Sequence, residues 1–192
     1  MSKLKIGLAL TGSYCCYDKA FAAARALAEK YELTAILSET AAATDSRFGK
    51  AEEFRKTLEE ITGKPVIDSV VGAEPIGPQG MFDVLAIAPC TGNTAAKLAA
   101  GITDTAVTMA AKSHLRGGRP VVLAFGSNDG LSASAKNIGE LLCRKNIYFV
   151  PFFQDDPLSK PRSLASDYAL LEDTILRAAE GQQIQPILAH TK

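Results

Sequence analysis

The chain of 192 residues contains no tryptophan, two histidines and four cysteines, and these scarcities exclude several classes of site. The cysteines are Cys15, Cys16, Cys90 and Cys143, and no two of them form a CxxC pair. Because both histidines lie far from the cysteines in sequence, the ligand spacing of a zinc site is missing, and we expect no metal. Oxidation of the adjacent Cys15 and Cys16 would close a strained ring, so we expect reduced thiols, as in a cytoplasmic protein.

Net charge and long apolar runs are missing as well. The chain carries 21 basic and 21 acidic residues, and without a basic block it has no electrostatic footprint for nucleic acid binding. No apolar run approaches the ~20 residues that span a bilayer, and the first residues lack the layout of a signal peptide. We therefore expect a cytoplasmic protein with neither a nucleic acid nor a membrane as its partner.

The sequence does contain a regular alternation of short apolar runs and amphipathic segments. This alternation predicts an α/β fold, a three-layer α/β/α Rossmann-like sheet of about six parallel strands, in a single domain over residues 1–192. The predicted strands are 4–10, 33–37, 65–68, 83–88, 120–125 and 147–151. The predicted helices are about 15–31, 50–61, 95–100, 104–115, 132 or 134 to 144, and a C-terminal helix at about 164–180. Residues 72–80 and 154–163 are predicted to be loops.

Small polar residues follow four of the predicted strands. These loops are Thr11-Gly12-Ser13, Ser38-Glu39-Thr40, Cys90-Thr91-Gly92-Asn93-Thr94 and Gly126-Ser127-Asn128. Ligands of open α/β sheets bind at the carboxyl ends of the strands, and free N–H groups at a helix start attract anions. The edge of the sheet at which these four loops meet therefore suits a phosphate and a polyol chain. Thr91, Asn93 and Thr94 could equally serve as helix caps. Neither a Walker A nor a GxGxxG pattern is present, which argues against NTPases and ordinary NAD enzymes.

Three of these features together resemble the flavoprotein superfamily of homo-oligomeric, FMN-containing cysteine decarboxylases. They are Thr11-Gly12-Ser13, Ser38, and the run Ala88-Pro89-Cys90-Thr91-Gly92-Asn93-Thr94 followed by Lys97, Gly101 and Asp104. The family's usual motif is close to A-P-x-T-A-N-T-x-x-K-x-x-x-G-x-x-D, and Gly92 is the departure from it. The resemblance covers most of residues 4–151. It implies FMN held by Gly12, Ser13, Ser38, Thr40, Thr91, Gly92, Asn93 and Thr94.

Further residues resemble one branch of this family over nearly the whole chain. They are residues 7–16, 124–137 and 148–157, with Lys160-Pro161. In that branch the chain works with a dehydrogenase-like partner to form dipicolinate from a hydroxylated tetrahydrodipicolinate during sporulation. The resemblance implies the same partner, with NADP on that partner only, a dicarboxylate substrate and the mother-cell compartment. It also implies a homo-oligomer, a trimer or a dodecamer, with the flavin between its copies.

The chain departs from the decarboxylases of the family in three places. Residues 66–83 contain no histidine, where those enzymes carry their base. The loop Gly126-Ser127-Asn128 lacks their methionine, and their cysteine–glycine-rich flap is missing. The catalytic residue is therefore unknown. Three hypotheses stay open: one component of a dipicolinate-forming oxidoreductase, an FMN-dependent decarboxylase of the phosphopantothenoylcysteine decarboxylase type with another base, and a non-catalytic ligand-binding or assembly component.

Substrate-binding candidates also have two interpretations. Asn128 matches the family's carboxylate-binding asparagine, yet an asparagine before Asp129-Gly130 also fits a turn. Lys160 and Arg162 could bind an acidic substrate or only keep their loop solvated.

For other reactive residues the structural interpretation is favoured. Cys90 is expected to be a small buried residue, and Cys15 and Cys16 to pack at a helix start. His114 is predicted to be a charged group at a helix C-terminus, and Lys97 to extend along its own helix.

Overall fold

The computed structural model describes residues 3–189, so His190 lies outside the described residues. Five of its strands run parallel in one sheet: β1 (Lys5–Leu10), β2 (Glu32–Leu37), β3 (Val84–Cys90), β4 (Val121–Ser127) and β5 (Ile147–Phe149). Their order is β2-β1-β3-β4, and β5 pairs with the first half of β4. The α/β, Rossmann-like prediction is confirmed, with a sheet that is mostly rather than wholly parallel.

Two short strands make the sheet mixed. They are β6 (Phe152–Phe153) and β7 (Leu164–Ser166), which pair antiparallel, and β7 also pairs antiparallel with the end of β4. The C-terminal helix predicted from residue 164 begins instead at Leu171. The prediction was wrong there because Leu164 and Ser166 are both buried, and the Ser166 hydroxyl donates to the carbonyl of Phe125 at 2.9 Å. Packing against β4 thus holds this segment extended.

Helices cover both faces of the sheet. One face packs against α1 (Tyr17–Lys30), α2 (Glu39–Ala43), α3 (Ala51–Thr62) and α8 (Leu171–Ala179). The other packs against α4 (Val70–Ala73), α5 (Gly92–Ala100), α6 (Ala106–Arg116) and α7 (Ala135–Leu142). Short 3₁₀ turns lie at Tyr14–Cys16, Glu74–Ile76 and Tyr168–Leu170. No helix in residues 3–189 is long and apolar enough to cross a membrane.

Alternation along each buried strand divides the core between these two faces. In β3, Val84 and Ala86 join the cluster beneath α1 and α3, whereas Leu85 and Ile87 join the cluster beneath α5 and α6. Successive strand residues point to opposite faces, so a continuous apolar run is the expected sequence of a strand covered on both sides.

Several predicted segments change. Residues 72–76, predicted to be part of a loop, form the end of α4 and a 3₁₀ turn. The strand predicted at 65–68 is reduced to a single bridge between Ile67 and Ile36 of β2. The strand predicted to end before Pro89 continues to Cys90, with a register shift against β4 between Ile87 and Cys90. Proline has no N–H to offer a neighbouring strand, and it is accommodated at this irregularity in the ladder.

Candidate functional site

The carboxyl ends of the central strands meet at one edge, and Thr11 joins two of them. Thr11 is buried at the end of β1. Its hydroxyl donates to the carbonyl of Pro89 at 2.7 Å and accepts from the N–H of Thr91 at 3.1 Å. The loops after β1 and β3 are therefore held together by one side chain, for which the sequence predicts only a place in a polar loop.

The corner between β1 and β2 brings together the first group of predicted cofactor residues. The Tyr14 hydroxyl donates to the carbonyl of Thr40 at 3.1 Å. A Cβ built on Gly12 would lie 3.9 Å from the Thr40 methyl group, with no closer neighbour. Ser38 is buried and caps α2 by accepting from the N–H of Ala41 at 3.3 Å. Gly12, Ser38 and Thr40 thus lie around one small polar corner, with Ser13 next in the chain.

The start of α5 contains the second group. Thr91 is the N-cap of α5 and accepts from the N–H of Thr94 at 3.1 Å, while its hydroxyl donates to that of Thr94 at 3.0 Å. The capping role of Thr91 is confirmed. Within the described residues the N–H groups of Gly92 and Asn93 have no protein acceptor, as expected for the first turn of a helix. Gly92 and Asn93 line a cavity of about 410 Å³ at the β3–β4 side of the edge.

Gly92 departs from the family motif for a visible steric reason. A Cβ at this position would lie 2.7 Å from the Ser134 hydroxyl oxygen, 3.1 Å from that of Ser127 and 3.3 Å from Oδ1 of Asp129. Alanine therefore does not fit unless this cluster moves. Sequence reasoning missed the cluster, since it predicts Asp129 only as part of a turn.

Asp129 is held by the two serines on either side of it in sequence. Its Oδ1 accepts from the Ser127 hydroxyl and from the Ser134 hydroxyl, the latter at 2.9 Å. These hydrogen bonds, that of Ser127 first, lower the pKa of Asp129. The carboxylate is consequently charged at neutral pH and lies beside the first turn of α5.

The predicted substrate residues are more dispersed. Asn128 is exposed in the turn after β4, and Arg162 is exposed in the segment between β6 and β7. Lys160 in the same segment pairs with Asp155 at 3.1 Å. The hydrogen bond and charge of Asp155 raise the pKa of Lys160, and the charge of Asp156 acts in the same direction. Their role in substrate binding stays a prediction.

Thiols and one tyrosine lie beneath this edge. Cys90 is fully buried, and burial raises the pKa of its thiol to about 12. Burial also raises the pKa of Cys16. The Tyr168 hydroxyl is buried without a partner among the described residues, and burial, then the nearby Cys16 and Cys90, raises its pKa. No sequence pattern marks Tyr168, which reaches the edge from a 3₁₀ turn far along the chain.

Three further side chains differ from the sequence predictions or were missed. His114 is fully buried, and burial lowers its pKa to about 4, so its predicted helix-terminal charge is wrong. Lys97 bonds Asp104 at 2.8 Å instead of only lying along α5. Glu39 follows Ser38 and accepts from the N–H of Ala106, at the start of α6, at 2.9 Å. The sequence feature that could have identified Glu39 is an acidic residue within a polar loop that follows a strand.

Comparison with known proteins agrees with this architecture. The sequence profile described as Flavoprotein matches residues 1–158. The B subunit of dipicolinate synthase from Bacillus subtilis strain 168 is 45% identical, over 98% of this chain and 96% of that protein. The crystal structure of the same subunit from Bacillus halodurans is 40% identical and superposes with a TM-score of 0.90 over 100% of both chains.

A more distant structure shares the fold. It is that of the FMN-dependent cysteine decarboxylase SpaF, 20% identical, with a TM-score of 0.64 over 93% of this chain and 98% of that one. The profile match covers most of the chain and includes every loop of the polar edge. The chain therefore belongs to the Flavoprotein family.

Proposed function

We propose that this chain acts as the flavoprotein-like component of a dipicolinate synthase. With a dehydrogenase-like partner, the A subunit of that enzyme, it would form dipicolinate from a hydroxylated tetrahydrodipicolinate during sporulation, in the mother-cell cytoplasm. The observation that carries the proposal is the similarity to the B subunit of dipicolinate synthase over 98% of the chain, with 45% identity to the Bacillus subtilis protein. In this proposal the chain is one component of an oxidoreductase, with NADP on the dehydrogenase-like partner.

The donor set at the β1–β2 corner fits the phosphate and polyol of FMN. Ser13, Ser38 and Thr40 supply hydroxyl groups there, and Gly12 leaves open space beside the Thr40 methyl group. One oxygen of the Glu39 carboxylate at this corner accepts from the N–H of Ala106, and the other is buried without a partner among the described residues. Thr91, Gly92, Asn93 and Thr94 would contact the remainder of the cofactor from the start of α5.

The chain's own residues would bind and orient the dicarboxylate. Asn128 offers an exposed amide, and Arg162 offers an exposed guanidinium. The Lys160 ammonium has three N–H donors, so it can retain its ion pair with Asp155 and also donate a hydrogen bond to a substrate carboxylate. A bound flavin would supply an acceptor for the hydrogens removed from the ring. A homo-oligomer, a trimer or a dodecamer, would enclose the cofactor between copies.

The first experiment is a titration of the purified chain with FMN, followed by its visible absorption spectrum. We expect a saturable spectral shift, and Thr40→Ala to weaken the Kd about tenfold because a hydroxyl–phosphate hydrogen bond is lost. Thr44→Ala is the matched control, since Thr44 is exposed and follows the same helix. Absence of a shift at saturating FMN would overturn the flavin part of the proposal.

The second experiment measures dipicolinate formation by the dehydrogenase-like partner with and without this chain. Formation that requires both proteins supports the proposal. An equal rate from the partner without this chain would overturn it in favour of an assembly or ligand-binding role. Release of CO₂ from a cysteinyl substrate by this chain alone would instead identify a decarboxylase.

A further inference from the structure

The cavity beside α5 has an unusual balance of polar groups. Its lining includes Asp129, Ser127, Asn93 and Asn137, and no lysine or arginine is among its lining residues. Its volume of about 410 Å³ lies within the range of small-molecule sites. An ionised carboxylate accepts hydrogen bonds and donates none. A ligand group that contacts the Asp129 carboxylate in this cavity must therefore offer a donor, whereas the amides of Asn93 and Asn137 can meet acceptors elsewhere in the cavity.

The position of Asp129 is fixed from two sides. Its Oδ1 holds both serine hydroxyls, as described above, which leaves Oδ2 without a partner among residues 3–189. On the other side the first turn of α5 approaches so closely that a Cβ at position 92 would lie 3.3 Å from Oδ1 of Asp129 and 2.7 Å from the Ser134 hydroxyl oxygen. A carboxylate beside the start of a helix is favourable because it faces the positive end of the helix dipole. The chain thus supplies its own anion at the start of α5.

This arrangement assigns different ligand groups to the two sides of the edge. An anionic group next to Asp129 would meet a like charge at short range, which is unfavourable. Phosphate and carboxylate groups are therefore less favourable in contact with Asp129 than near Lys160, Arg162 or the amide of Asn128. A neutral donor such as an alcohol suits the free Oδ2 of Asp129.

We propose that Asp129 is a specificity-determining residue that accepts a hydrogen bond from the ring hydroxyl of the substrate. The inference rests on the proposed function, which supplies a hydroxylated dicarboxylate as substrate. Ser127 and Ser134 are positioning residues for this carboxylate, and Gly92 provides the space that they occupy.

Two saturated probes test the inference, piperidine-2,6-dicarboxylate and its 4-hydroxy derivative, with binding to the two-protein complex measured by calorimetry. We expect the wild type to bind the hydroxy compound at least about tenfold more tightly, because a hydrogen bond to a charged group is gained. Asp129→Asn should remove most of this preference and leave the Kd of the unsubstituted compound nearly unchanged. Asp83→Asn is the matched control, since Asp83 precedes β3 at the opposite edge of the sheet.

Ser134→Ala is the second variant. It removes one of the two hydrogen bonds to Asp129 and retains the carboxylate, so the preference should fall by a few-fold. Thermal unfolding of each variant checks that it is folded.

Equal binding of the two probes by the wild type, or an unchanged preference in Asp129→Asn, would overturn the inference while the proposed function stands. If the complex neither binds the probes nor forms dipicolinate, the proposed function fails and the inference fails with it.

Discussion

The side-chain oxygen of Thr11 accepts a hydrogen bond from the backbone N–H of Thr91 at 3.1 Å, across 80 residues of sequence. The same hydroxyl donates to the carbonyl of Pro89 at 2.7 Å. Both loops that we propose to hold the cofactor are thereby fixed relative to each other by a single buried group.

Thr11→Val should destabilise the protein. The variant keeps the shape of the side chain but leaves the N–H of Thr91 and the carbonyl of Pro89 unsatisfied, and the free energy of unfolding should fall by about 1–3 kcal/mol. Urea denaturation provides the measurement. Thr11→Ser retains the hydroxyl and should recover most of the loss, and an equal loss in both variants would contradict this assignment.

Low pH should unfold the protein partly through His114. The folded pKa is about 4 because the ring is buried, with Arg119 acting in the same direction and Pro120 and Asp83 acting against it. The unfolded value is near 6.5. Below pH 6.5 the unfolded chain binds a proton that the folded chain does not. Stability is therefore complete above the unfolded pKa and falls as the pH approaches 4, by about 3 kcal/mol.

The measurement is urea denaturation of the wild type and of His114→Asn between pH 7.5 and pH 4.5. Carboxylates titrate in both proteins, so the difference between the two curves isolates the histidine. Parallel curves across this interval would show that His114 does not contribute.

Arg144 should stabilise the end of α5 from outside that helix. Its guanidinium donates to the carbonyls of Leu98 at 2.9 Å and Ala99 at 2.5 Å, which are among the last of α5. Lysine cannot reproduce the planar fork, so Arg144→Lys should lower the free energy of unfolding by about 1 kcal/mol. Arg116→Lys, at the exposed end of α6, is the control, and equal losses from both would argue against a specific clamp.

Cysteine accessibility provides a test of the edge itself. Cys15 and Cys143 are exposed and Cys90 is buried, and burial raises the thiol pKa of Cys90 to about 12. In the folded protein a thiol reagent such as DTNB should modify Cys15 and Cys143 rapidly and leave Cys90 unmodified, since the thiolate is the reactive form. Mass spectrometry of the peptides identifies the sites. Rapid labelling of Cys90 would show that the edge opens.

The helix–strand order could be predicted well because hydrophobic periodicity is a local property. The failures occurred where a distant segment decides the conformation. Residues 164–166 are extended because they pair with β4 and β6, and the pattern that follows them continues as a helix only from Leu171. Pro89 stays within β3 because the ladder with β4 shifts around it, which no local pattern indicates.

By itself the sequence determined the alternating α/β architecture and the row of hydroxyl and amide residues at the strand ends, since both follow from periodicity and from the geometry of parallel sheets. Only the tertiary structure decided which of these residues meet. Gly92 approaches Asp129 and Ser134 from another helix, and His114 is neutral because the sheet and its loops bury it. Such contacts join residues that are distant in sequence, and burial and charge depend on the packed neighbours rather than on the residues beside them in the chain.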